Sequence, residues 1–78
     1  MSPGLKNIPL RVFREFLESK GLKHTRTTGG HEVWTRKDLS RPVIIQTHND
    51  PVPEFIINRN LHTIGSDRNE FIEFLKNG

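Results

Sequence analysis

The chain has 78 residues, with 12 Lys and Arg against 9 Asp and Glu, 4 His and no Cys. That length holds one small domain with a thin core, and it excludes a doubly wound dinucleotide fold, a TIM barrel and any two-domain enzyme. Without Cys there is no disulfide to brace the core, no thiolate zinc site and no Cys nucleophile. Charge is unevenly placed: residues 1–41 carry nine bases and four acids, a balance of +5, while residues 42–78 carry three bases and five acids, a balance of −2. A basic front half points to a polyanionic partner. A secretory signal needs about 7–15 apolar residues and a membrane helix about 20. Neither Met1-Ser2-Pro3-Gly4-Leu5-Lys6 nor the short run Val43-Ile44-Ile45 supplies them. The expectation is a soluble, cytoplasmic protein with no membrane partner.

The first periodic stretch runs from Pro9 to Gly21. Leu10, Phe13 and Leu17 recur at helical spacing and Phe16 widens the stripe, with Arg11, Arg14, Glu15 and Glu18 filling the other face. Pro9 suits the first helical position and Gly21 the left-handed residue past the end. The aromatic stripe reads as core. From Leu22 to Thr27 the chain is Thr-rich and loosely alternating, and Gly29-Gly30 makes a hairpin turn into His31-Glu32-Val33-Trp34-Thr35, a run of strand formers. After the polar connection Arg36–Arg41, the run Pro42–Thr47 reads as a third strand, its proline at the first residue where a missing donor is tolerated. These three strands form an antiparallel meander.

A loop with two prolines, His48–Pro53, leads to Ile57, Leu61 and Ile64, which lie at helical spacing and stop at Gly65. Phe55-Ile56-Ile57 also fits a fourth strand, but the periodicity favours helix. Ser66 is the expected cap of a last short helix, with Asp67 and Glu70 in its first turn, Lys76 in its last, and Phe71, Phe74 and Leu75 buried. The predicted order α-β-β-β-α-α is an α+β pair of layers, helices on one face of a three-stranded antiparallel sheet. No repeat or linker divides the chain, so residues 1–78 read as one domain with its core over about 8–75.

Chemistry concentrates at Thr28-Gly29-Gly30-His31-Glu32-Val33-Trp34. Glycines let the backbone bend and approach a ligand, and successive free N–H groups in such a turn can cradle an anion. A histidine at the exit has both protonation states accessible near neutral pH. Cleavage of a phosphodiester by its 2′-hydroxyl needs a base for the 2′ proton and an acid for the leaving 5′ oxygen. The plainer alternative is a hairpin turn followed by a surface His.

This segment and its surroundings resemble the HicA family of toxins from bacterial toxin–antitoxin pairs. The resemblance rests on Leu17-Glu18-Ser19-Lys20-Gly21, Gly29-Gly30-His31, Trp34, Thr47-His48 and Leu61-His62-Thr63-Ile64-Gly65, in order over most of the chain. Gly30 stands where Ser or Thr is commoner, and the helix around Asn58-Arg59-Asn60 is less basic than in many members. The resemblance implies a double-stranded-RNA-binding-like α-β-β-β-α fold with an additional short C-terminal helix. It implies an mRNA-cleaving endoribonuclease active in stress response, needing no cofactor or metal, and covered by a HicB-type antitoxin. It also makes His31 the catalytic base or acid.

His48, at the end of strand three, is the second catalytic candidate, against a reading as a loop residue bonded to its own turn. Gly29, Gly30, Lys23, Arg26, Arg36, Lys37 and Arg41 flank His31 and are candidate RNA contacts. Trp34 either stacks an unpaired base or packs in the core, and alternation puts Val33 and Trp34 on opposite faces without saying which faces inward. Glu32 must point away from His31 and is expected to be a solvated surface residue; His24 and His62 are expected at ordinary surface positions. No His-x-His or His-x-x-x-His spacing suggests a metal site. Two competing functions remain at this level: a non-catalytic RNA-binding module, and a protein-interaction domain suggested by the sparse charge of the Ile57/Leu61 helix.

Overall fold

Gly21 and Gly65 mark where two helices end, and the backbone around each explains why. In the computed structural model, which describes residues 5–77, both adopt positive φ, +84° and +72°. Gly21 N–H donates to Glu18 and Leu22 N–H to Leu17, while Gly65 N–H donates to His62 and Ser66 N–H to Leu61. This pair of backward bonds satisfies carbonyls that a helix end leaves orphaned, and it needs a residue free to enter the left-handed region. Met1–Gly4, part of the run read for a signal, and Gly78 lie outside the described residues.

The elements are α1 (Leu10–Ser19), β1 (Lys23–Thr28), β2 (His31–Thr35), β3 (Val43–Gln46), α2 (Glu54–Thr63) and α3 (Arg68–Asn77). The predicted order is therefore observed, and Phe55-Ile56-Ile57 is helical. Three details differ. Pro9 is the extended N-cap residue of α1 rather than its first helical residue, the place Pro53 holds before α2. The α3 start is capped by Asp67, whose Oδ1 accepts the Glu70 N–H at 2.8 Å, and Ser66 instead donates to the Glu70 carboxylate. On α3 the buried pair is Phe71 and Ile72, with Phe74 and Leu75 only partly covered.

The strands pair antiparallel in the order β1-β2-β3. Residues directly opposite one another share a face, so the register sorts every side chain. Glu32 pairs with Ile45 and Trp34 with Val43 on the face toward the helices, joined by His24 and Thr27 of β1. Lys23, Arg26, Thr28, His31, Val33, Thr35, Ile44 and Gln46 occupy the other face, away from the helix-packed core, where Val33 alone is buried. The register shifts between His24 and Arg26, a bulge pinned by Thr25 Oγ1 donating to Val33 O at 3.0 Å.

One apolar cluster draws on all three helices, on Trp34 of β2 and on Val43 and Ile45 of β3. Trp34 is thus the inward residue of the Val33/Trp34 pair. At its centre Phe16 meets Phe71 edge-on with ring centroids 4.8 Å apart, and Phe13 meets Phe71 at 5.9 Å, fastening α1 to α3. The N-terminal segment is tied to the 50–52 loop: Val52 N–H donates to Ile8 O, and Asp50 Oδ1 accepts the first helical N–H of α1, that of Leu10, at 3.0 Å. Among the described residues no helix is long and apolar enough to cross a membrane.

Candidate nucleic-acid interface

The Gly29-Gly30 turn has φ of +53° and +86°, positive at both central residues as a two-residue type I′ hairpin requires. Such a turn matches the twist of the strands it joins, so β1 and β2 stay paired up to Thr28 and His31. His31 emerges on the outer face of the sheet and is exposed. Gly30 O accepts the Thr47 N–H at 2.8 Å, which extends the β2–β3 ladder one step past Gln46. His48 follows in an exposed turn at that same end of the sheet. The register therefore gathers Thr28, the two glycines, His31, Gln46 and His48 at one end of the sheet. Among the described residues neither His31 nor His48 has a side-chain hydrogen-bond partner.

The cations divide into two groups. Lys23, Arg26, Lys37 and Arg41 are exposed and form no salt bridge among the described residues. Arg36 is different. Its guanidinium pairs with Asp38 at 2.6 Å and donates to Lys20 O at 2.7 Å and Ile64 O at 3.1 Å. Those are the C-cap carbonyls of α1 and α2, so one cation sits at the negative ends of two helix dipoles. The Asp38 hydrogen bond holds Arg36 above its ordinary pKa and the Asp38 carboxyl below its own.

Trp34 is 4% exposed and packs in the core, which leaves no ring face open to a base. Its indole N–H donates to Glu32 Oε1 at 3.0 Å. Glu32 is the clearest departure from the sequence reading: it does point away from His31, but it is 6% exposed, not solvated. Arg14 reaches across from α1 and grips it through both Nε, at 3.1 Å, and Nη2. The hydrogen bond from Arg14 holds the Glu32 carboxyl below the usual carboxylate range, opposed by burial and aided by Trp34. His24 is also more engaged than expected, its ring 5.5 Å from that of Trp34 and its Nε2 2.8 Å from Thr27 Oγ1. Arg14, Glu18, Leu22, Lys23, His24, Glu32 and Trp34 line a cleft of about 520 Å³ on the helix side. The i, i+2 spacing puts Glu32 on the same face as Trp34, so once Trp34 is seen to face inward Glu32 must follow it.

The helix-side cleft holds two carboxylates, whereas the outer sheet face, by register, holds none. An anion is therefore favoured on the side of His31. Among the described residues, no three His, Cys, Asp or Glu side chains come together as a metal site. The fold is thus a small α+β arrangement with an open three-stranded sheet whose outer face presents no strand carboxylate. Comparison of the chain with protein-family models, with curated proteins and with solved structures finds no match.

Proposed function

We propose that the chain is an endoribonuclease that cleaves mRNA by transesterification at His31, the activity implied by its resemblance to HicA toxins. One observation carries the reading: His31 leaves a type I′ Gly-Gly turn onto an open sheet face that has unpaired cations and no strand carboxylate. In the proposed reaction an imidazole takes the 2′ proton and the 2′ oxygen attacks phosphorus. The bond from phosphorus to the 5′ oxygen breaks, and that oxygen receives a proton, leaving a 2′,3′-cyclic phosphate and a 5′-hydroxyl. His31 and His48, at the same end of the sheet, divide the base and acid roles. The α-β-β-β-α order agrees with a double-stranded-RNA-binding-like fold, here extended by α3. The setting is the bacterial cytoplasm, with a HicB-type antitoxin covering the basic face.

Purified protein and its His31→Ala variant, incubated with single-stranded RNA with and without EDTA, test this. Cleavage that leaves cyclic-phosphate ends, persists in EDTA and is lost with His31 supports the reading. Equal cleavage by the variant ends it. Among the described residues no side chain orients the His31 imidazole, which favours one alternative, a module that binds RNA without cutting it. That alternative holds if RNA is bound but cut by neither protein.

A further inference from the structure

Two shallow grooves of about 300 and 570 Å³ lie on the outer face of the sheet at the end away from His31. They adjoin, sharing Thr25, Thr35 and Arg36 as common walls. Arg26 and Arg41 line one, Lys23 and Lys37 the other, and no Asp or Glu lines either. These four cations are exposed and without salt bridges among the described residues, while Arg36 between them is held by Asp38 and two backbone carbonyls. The walls are thus fixed and the charges on them are free. Thr35, central to both grooves, lies four residues along β2 from His31, about 13 Å at the rise of a strand.

We infer that these paired grooves form a phosphate subsite for single-stranded RNA, holding the strand one or more nucleotides away from the linkage presented to His31. The inference rests on the proposed function for the direction of the strand but not for the binding itself. Charge complementarity identifies the occupant's chemistry. Cation pairs on either side of Thr35, in grooves whose only nearby carboxylate, Asp38, is engaged by Arg36, fit a phosphodiester rather than a neutral or cationic ligand. An extended strand lying along β1 and β2 reaches both His31 and the grooves, and a free dinucleotide does not. Recognition at this distance draws on parts of the substrate that do not react, so it acts on substrate capture rather than on the chemical step.

The probe is a fluorescent, fully 2′-O-methylated decanucleotide, which the proposed reaction cannot cut, titrated into the full chain over a range of salt. The double variant Arg26→Gln/Arg41→Gln is expected to weaken binding about tenfold and to lower the slope of log K against log salt by about 1.4, two contacts' worth for a single strand. The charge-matched control Arg11→Gln/Arg59→Gln, on α1 and α2, is expected to change little, and a methylated dinucleotide to bind the two proteins alike. Equal losses in both double variants, or no loss in either, overturn the subsite. So does tighter binding of a methylated duplex, or displacement of the decanucleotide by polyglutamate at equal charge, which assigns the face to an acidic protein. Cleavage of unmodified RNA separates this inference from the one before it. A raised KM with kcat unchanged in Arg26→Gln/Arg41→Gln supports both. Intact binding results with no cleavage by the unaltered chain sustain the subsite and remove the ribonuclease, and cleavage with unaltered binding does the reverse.

Discussion

Glu32 shows how much a single buried carboxylate can organise. It is the side chain that ties β2 to α1 through Arg14, and its second contact, from the Trp34 indole, lies within its own strand. Arg14→Met strips the carboxylate of its counter-charge while leaving it buried. Since a hydrogen bond to a charged group contributes about 1.5–3 kcal/mol and Arg14 is itself partly exposed, a loss of about 2 kcal/mol is expected in urea unfolding. The double variant Arg14→Met/Glu32→Gln should lose less than Arg14→Met alone, because Gln still accepts from Trp34 and no buried charge is stranded. Acidification should act through the same carboxyl. Its folded pKa lies below the ordinary Glu value of about 4.3, so its contribution is complete above that value and fades as pH falls towards the depressed one. The stability gap between the native chain and Glu32→Gln is therefore expected to be widest at neutral pH and to narrow below about pH 4; a constant gap across that range would refute it.

At the scale of elements, the turns carry the clearest expectations. Gly29 and Gly30 both adopt positive φ, and a Cβ on Gly30 would lie 3.5 Å from Thr47 Oγ1, ordinary contact, so backbone strain rather than space opposes a side chain there. Gly30→Ala should cost about 1–2 kcal/mol in thermal or urea unfolding, whereas Gly29→Asn, which suits the first centre of a type I′ turn, should cost little. Arg36→Met removes one side chain's bonds to the C-caps of α1 and α2 together, and a destabilisation of about 2 kcal/mol is expected, with the His31 end of the sheet intact. Helices, hairpin and strands were legible because periodicity, Gly and Pro are local signals: Leu10, Phe13 and Leu17 announce α1, and Gly21 its end. What stayed hidden depends on contacts distant in sequence. Arg36 looked like another surface cation because its partners, Lys20 and Ile64, lie 16 and 28 residues away. Asp50 gave no sign that it caps α1, 40 residues earlier. Ser66 and Asp67 are both good caps, and only geometry chooses between them.

For the whole molecule, the charge asymmetry seen in the sequence resolves into a difference between faces. Part of the basic surplus of residues 1–41 is spent internally, on Arg14 and Arg36, and the remainder that lines the sheet lies on its outer side. His31 was legible as a candidate from its turn, and its exposure follows from register. How Trp34 and Glu32 would divide the inner face was not, since alternation alone does not say which set faces the helices. Phe55, 63% exposed with the Arg59 guanidinium 5.9 Å over its ring, lies outside the core cluster. Phe55→Ser should leave the urea midpoint unchanged within the equivalent of about 0.5 kcal/mol, the tolerance usual for a surface site.

The register of β2 has one more consequence. A slip of one residue against its neighbours would turn every side chain of the strand over. Glu32 would then stand on the outer face with Lys23 and Arg26, and His31 and Val33 would turn towards the helices. The Arg14–Glu32–Trp34 lock, on the helix side of the sheet, thus holds the register. It makes the one alignment that keeps the Glu32 carboxylate off the outer face also the alignment its own bonds stabilise.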